Sequence, residues 1–62
     1  MVKQLTKEEF EKTLKFLKDD GRFRLVASSD DLSINYLFIC QKGSATCLLT
    51  YCTDVNRYYI AS

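Results

Sequence analysis

The chain contains no histidine. Without an imidazole there is no Ser–His or Cys–His nucleophile pair, and the commonest general base is missing. Glycine is nearly absent too: Gly21 and Gly43 stand alone, too far apart to form a loop that cradles phosphate. There is no proline and no tryptophan. Lack of proline suits a chain built mostly of regular elements, because nothing in it removes a backbone donor. Long apolar runs are missing as well. The longest, "YLFIC" at 36–40, falls far short of the ~20 residues that span a bilayer. The lysine- and glutamate-rich start is not a secretory leader.

A strong charge of either sign is also lacking. Nine Lys and Arg against eight Asp and Glu leave a formal net charge of +1, which gives no broad basic footprint for nucleic acid. The three cysteines, Cys40, Cys47 and Cys52, have no C-x-x-C spacing and no histidine to complete a zinc site. Their number is odd, and two fall inside apolar strand patterns. That suits reduced thiols in a cytosol better than a disulfide scaffold, so the expected location is cytoplasmic. Asp30 and Asp31 are adjacent carboxylates, but they sit between two strand patterns, where aspartates serve turns. No catalytic residue, metal ligand or cofactor site is expected, and the chain is read as a non-enzyme.

What is there is one helix and several strands. In "LTKEEFEKTLKFLKDDG", Thr6 followed by Glu9 forms a capping box, and Leu5 with Phe10 supplies a hydrophobic staple. Phe10, Leu14 and Leu17 recur at helical spacing, which makes one apolar stripe, with Phe16 at its margin. Glu8 with Lys12 and Glu11 with Lys15 are i,i+4 pairs in the favourable order, the mark of a solvated face. The helix is expected over about Lys7 to Asp20, with Gly21 ending it in a left-handed conformation.

Four strand candidates follow: "RFRLVAS" (22–28), "SINYLFICQ" (33–41), "SATCLLTY" (44–51) and "RYYIAS" (57–62). Their connections are short, so antiparallel neighbours are expected. Pairing Gln41 with Ser44 across a Lys42–Gly43 turn, Ser28 with Ser33, and Cys52 with Arg57 yields one consistent parity. Phe23, Leu25, Ile34, Tyr36, Phe38, Cys47, Leu49, Tyr51, Tyr58 and Ile60 then share a face, and the helix stripe is its natural cover. Residues 1–62 are read as a single α+β domain, one N-terminal helix packed on one face of a four-stranded antiparallel meander (αββββ).

The opposite face follows by alternation. Leu37 lies beside Leu48 at its centre, with Val26, Ile39 and Tyr59 around them and Arg22, Arg24 and Arg57 toward the margins. Only the first few residues remain to cover it. An apolar centre with arginine and tyrosine at the margin has the composition of a binding patch. The last strand adds a second surface, since it ends the chain with no lysine or proline to protect an outer edge.

The leading expectation is a small non-catalytic protein-interaction module, a regulator or inhibitor of the kind phages and mobile elements often make. It would dock its open sheet face or last strand on a partner protein, or on itself as a homodimer. A second reading places single-stranded nucleic acid, RNA in particular, on the same face, with Tyr59 stacking and the three arginines meeting phosphates. No membrane partner is expected. A module cut from a longer protein, whose other part covers the face, is a third reading.

Overall fold

The computed structural model describes residues 1–61. In chain order it forms β1 (Val2–Leu5), α1 (Lys7–Asp19), β2 (Phe23–Ser29), β3 (Ser33–Cys40), β4 (Thr46–Cys52) and β5 (Arg57–Ala61). The strands make one antiparallel sheet in the order β1-β5-β4-β3-β2. The α+β class stands, but the sheet has five strands rather than four.

The added strand is β1. "VKQL" carries too few residues for alternation to be read against the helix signals that follow it. Its backbone pairs with β5, Val2 opposite Ala61 and Leu5 opposite Tyr58. That pairing overturns the expected edge: β5 lies between β1 and β4, so Arg57–Ala61 is an interior strand and offers no free side for docking. The edges are β1 and β2. The final residue of "RYYIAS", Ser62, lies outside the described residues.

α1 begins as its capping box dictates. Thr6 N donates to Glu9 Oε1 at 3.0 Å and Glu9 N donates to Thr6 Oγ1 at 3.1 Å. These bonds hold the Glu9 carboxyl below its ordinary pKa. The expected Gly21 cap is not what ends the helix, because no glycine among the described residues takes a positive φ. Asp20 turns out of the helix in an extended conformation, and its carboxylate accepts from Arg22 N at 3.0 Å and from the Arg22 guanidinium at 2.8 Å. A carboxylate two residues ahead of an amide does the work of the missing left-handed glycine.

Because β1 and β2 lie at opposite edges, α1 must carry the chain across the whole sheet. Its 13 residues reach about 20 Å at ~1.5 Å each, close to the ~19 Å between the outer strands of a five-stranded sheet. The helix buries Phe10 and Leu17 against Phe38 and Leu49, with Leu5, Leu14, Tyr36, Tyr58 and Ile60 packed around them. The Phe10 ring lies 4.8 Å from that of Tyr58, and Tyr58 stacks on Tyr51 at 4.7 Å. Lys18 Nζ sits 5.7 Å from the centre of the Tyr36 ring, closing the side of the core. One helix cannot cover five strands, so Leu25 on β2 stays 37% exposed and Ala27 is exposed as well. Phe16 is not a margin residue of the core; it is 67% exposed.

Two of the three hairpins have the expected register: Phe38 opposite Cys47 and Tyr36 opposite Leu49, then Leu49 opposite Ile60. The first is closed by Cys40 N donating to Ala45 O at 2.9 Å, so its loop is longer than Lys42–Gly43 with no change of partners. The β2–β3 hairpin is displaced by two residues, with Leu25 opposite Phe38 and Ser29 opposite Ile34. The cause is Asp30. Its Oδ1 accepts from both Leu32 N and Ser33 N at 2.8 Å, and Asp30 N donates to Ser33 O at 2.9 Å. This tightens the turn around Asp31 and Leu32 and lets the strand run on to Ser29. A shift of two preserves parity, so every side chain keeps its expected face.

Candidate functional site: the open sheet face

The register places the residues of the uncovered face in transverse rows. Val2 lies opposite Ala61, Ala61 opposite Leu48, Leu48 opposite Leu37, and Leu37 opposite Val26. One entirely apolar row therefore crosses all five strands. The sequence pattern identified its centre, Leu37 and Leu48, and its member Val26; it missed Val2, which β1 supplies. No pattern within "VKQL" marked Val2 in advance, because its two apolar residues are three apart and fall on opposite faces of the sheet. No described segment lies over the row. Its outer members are the most accessible, Val2 at 69% and Val26 at 43%, while Leu37, Leu48 and Ala61 are half-buried by their neighbours in the sheet.

The next row toward the Asp30 turn is polar: Gln4, Tyr59, Thr50, Asn35 and Ser28. Its inner groups bind one another. Thr50 Oγ1 donates to Asn35 Oδ1 at 2.8 Å, Asn35 Nδ2 donates to Ser33 Oγ at 3.2 Å, and Ser33 Oγ donates to Asp30 Oδ1 at 3.2 Å. This chain of bonds anchors the face to the turn whose carboxylate pKa is lowered by the Leu32 and Ser33 amides. Tyr59 belongs to this polar row, beside Thr50 and Gln4, rather than to the apolar centre. Ile39 lies on the other side of the apolar row, between Thr46 and Arg24.

The three arginines do not form one patch. Arg22 is tied to Asp20, which draws that carboxyl down to about 2 and raises the guanidinium pKa. Arg24 stands on β2 in the Thr46 row, and Arg57 on β5 opposite Cys52. They occupy diagonal corners of the face, roughly 25 Å apart by strand spacing and rise. Among the described residues neither forms an ion pair. Cys40, Cys47 and Cys52 are free, and burial pushes the Cys47 thiol pKa up.

Away from the sheet, the outer face of α1 holds a shallow depression of about 430 Å³ lined by Lys12, Lys15, Phe16, Asp19 and Asp20. Its charges are of both signs and no buried polar group points into it. No described helix is long and apolar enough to cross a membrane. Comparison with protein-family models, with curated proteins and with solved structures finds no match for this chain.

Proposed function

We propose that the chain is a non-catalytic binding module whose open sheet face receives an amphipathic helix of another protein. One observation carries the reading: the apolar row Val2–Ala61–Leu48–Leu37–Val26 runs unbroken from edge to edge with no described segment over it. The other face suggests the occupant. There, α1 crosses the same width of sheet and sets its apolar stripe on the strands. A partner helix of similar length would place an i, i+3, i+4, i+7 stripe along the row. The free cations Arg24 and Arg57, at opposite corners, favour acidic residues toward both ends of that helix. A regulator or inhibitor acting by occupancy needs no chemistry beyond this.

Single-stranded RNA on the same face has weaker support. A stacking surface needs several aromatics beside a track of cations. Here one tyrosine lies in a polar row, one arginine is neutralised by Asp20, and the other two are diagonal.

The test is a selection from a random peptide library on the immobilised chain, with the Leu37→Glu, Leu48→Arg double variant as the counter-selected surface. Peptides with a helical apolar stripe and acidic flanks should be enriched, and they should bind the double variant at least ~10-fold more weakly, the effect of losing more than ~1.4 kcal/mol at a central position. Enriched peptides that bind parent and variant equally would overturn the reading. So would tight, salt-sensitive capture of a single-stranded RNA pool that is abolished by Arg24→Glu with Arg57→Glu.

A further inference from the structure

The free side of β2 is built to pair with an identical strand. We infer that the chain forms a two-fold dimer in which β2 pairs antiparallel with β2 of a second copy, Val26 facing Val26. The inference is independent of what occupies the open face.

Backbone direction comes first. At one end of the β2–β3 pair Gln41 N donates to Arg22 O at 2.9 Å, and at the other Asp30 N donates to Ser33 O at 2.9 Å. In an antiparallel pair bonded residues alternate. Arg24, Val26 and Ser28 therefore turn their backbone groups toward β3, while Phe23, Leu25, Ala27 and Ser29 turn theirs outward. Those outward groups form a regular edge of 7 residues, paired one-to-one with β3 and without a bulge. β2 has neither proline nor shortness to protect it, and its one charge, Arg24, lies off the strand's centre. The opposite edge is better protected, since β1 is 4 residues long and carries Lys3.

Side chains then select the partner and the register. β2 exposes apolar groups on both faces, Leu25 and Ala27 on one and Val26 on the other. A two-fold axis at Val26 pairs Phe23 with Ser29 of the second copy and Leu25 with Ala27 of the second copy. Every outward N–H and C=O of the strand then finds a partner. Centring on Leu25 strands Ser29, and centring on Ala27 strands Phe23. With the axis at Val26, Arg24 faces Ser28 of the second copy, so no like charges are opposed. The apolar row continues from Val26 into its copy, making one band across both sheets. On the helix side, Leu25 packs beside Ala27 of the second copy, at the place α1 leaves uncovered.

Sedimentation velocity over a concentration series tests this. The parent should show a monomer–dimer equilibrium. Val26→Lys sets two cations face to face at the axis and should weaken dimerisation at least ~10-fold. Ala27→Pro should do the same, because it removes an N–H that faces solvent in the monomer and is tolerated on an edge. If Ala27→Pro fails to fold, Val26→Lys decides. Val26→Cys should cross-link to itself under mild oxidation, since facing residues of a non-hydrogen-bonded pair lie ~4.5 Å apart at Cα, within disulfide reach. Ser28→Cys should not, and peptide mapping separates either from native thiols. A parent that stays monomeric to its solubility limit overturns the inference. So does a dimer that survives Val26→Lys, or one lost in Leu37→Glu, Leu48→Arg but kept in Val26→Lys. Peptide binding by the Ala27→Pro monomer, whose changed residue lies on the helix side of β2 and outside the apolar row, reports on the open face separately.

Discussion

Two residues carry more of the fold than their neighbours, for opposite reasons. Leu49 is completely buried at the centre of the sheet beneath the helix, so Leu49→Ala should cost about 2–5 kcal/mol. Leu14 sits in the same cluster but is half-buried, and Leu14→Ala should cost clearly less. Urea midpoints rank the two, and equal losses would contradict this packing. Asp20 acts through charge instead. Its hydrogen bonds from Arg22 lower its pKa from 3.8 to about 2. A carboxyl that is more acidic folded than unfolded stabilises the fold when ionised. That stabilisation is complete above about pH 4 and is lost as pH falls toward 2. The gap in stability between the parent and Asp20→Asn should be constant above pH 4 and shrink below it. A gap that widens on acidification would mean the pair does not hold the helix end to β2.

Local chemistry explains which elements were legible in the sequence. The capping box, the apolar stripe and the strand parities are dictated within a few residues, and they correspond to what forms. Thr6→Ala should destabilise the fold by about 1 kcal/mol through lost capping. Glu9→Ala, which keeps the Thr6 side chain, should lose less, and thermal melts of both check the order. β1 was not legible because a strand of 4 residues exists only through its partner β5, far away in sequence. The same non-locality misplaced the edge: reading Arg57–Ala61 as outermost followed from missing β1. The two-residue displacement of β2 was hidden for a different reason. Whether Asp30 captures the amides of Leu32 and Ser33 decides between two registers of equal parity, and alternation cannot distinguish them. The candidate face survived both errors because each left parity intact. Its centre at Leu37 and Leu48 stands as read, while Val2 and the pairing of Arg22 with Asp20 needed the folded chain.

At the scale of the whole molecule, the imbalance between wall and cover matters most. Among the described residues, only Phe10, Leu17, Phe38 and Leu49 are buried to near completion, and a chain this size buries only about 60% of its unfolded surface. The sheet is wider than its cover on one face and bare on the other, so the apolar groups left over lie where another chain would reach them: the transverse row, and both sides of β2. Association through either surface would add stability, because anything that binds only the folded state raises its apparent stability by mass action. If β2 pairs with its copy, the thermal midpoint of the parent should rise with protein concentration. That of Val26→Lys should stay constant across the same series. A midpoint independent of concentration in both proteins would mean that the monomer supports itself without pairing at β2.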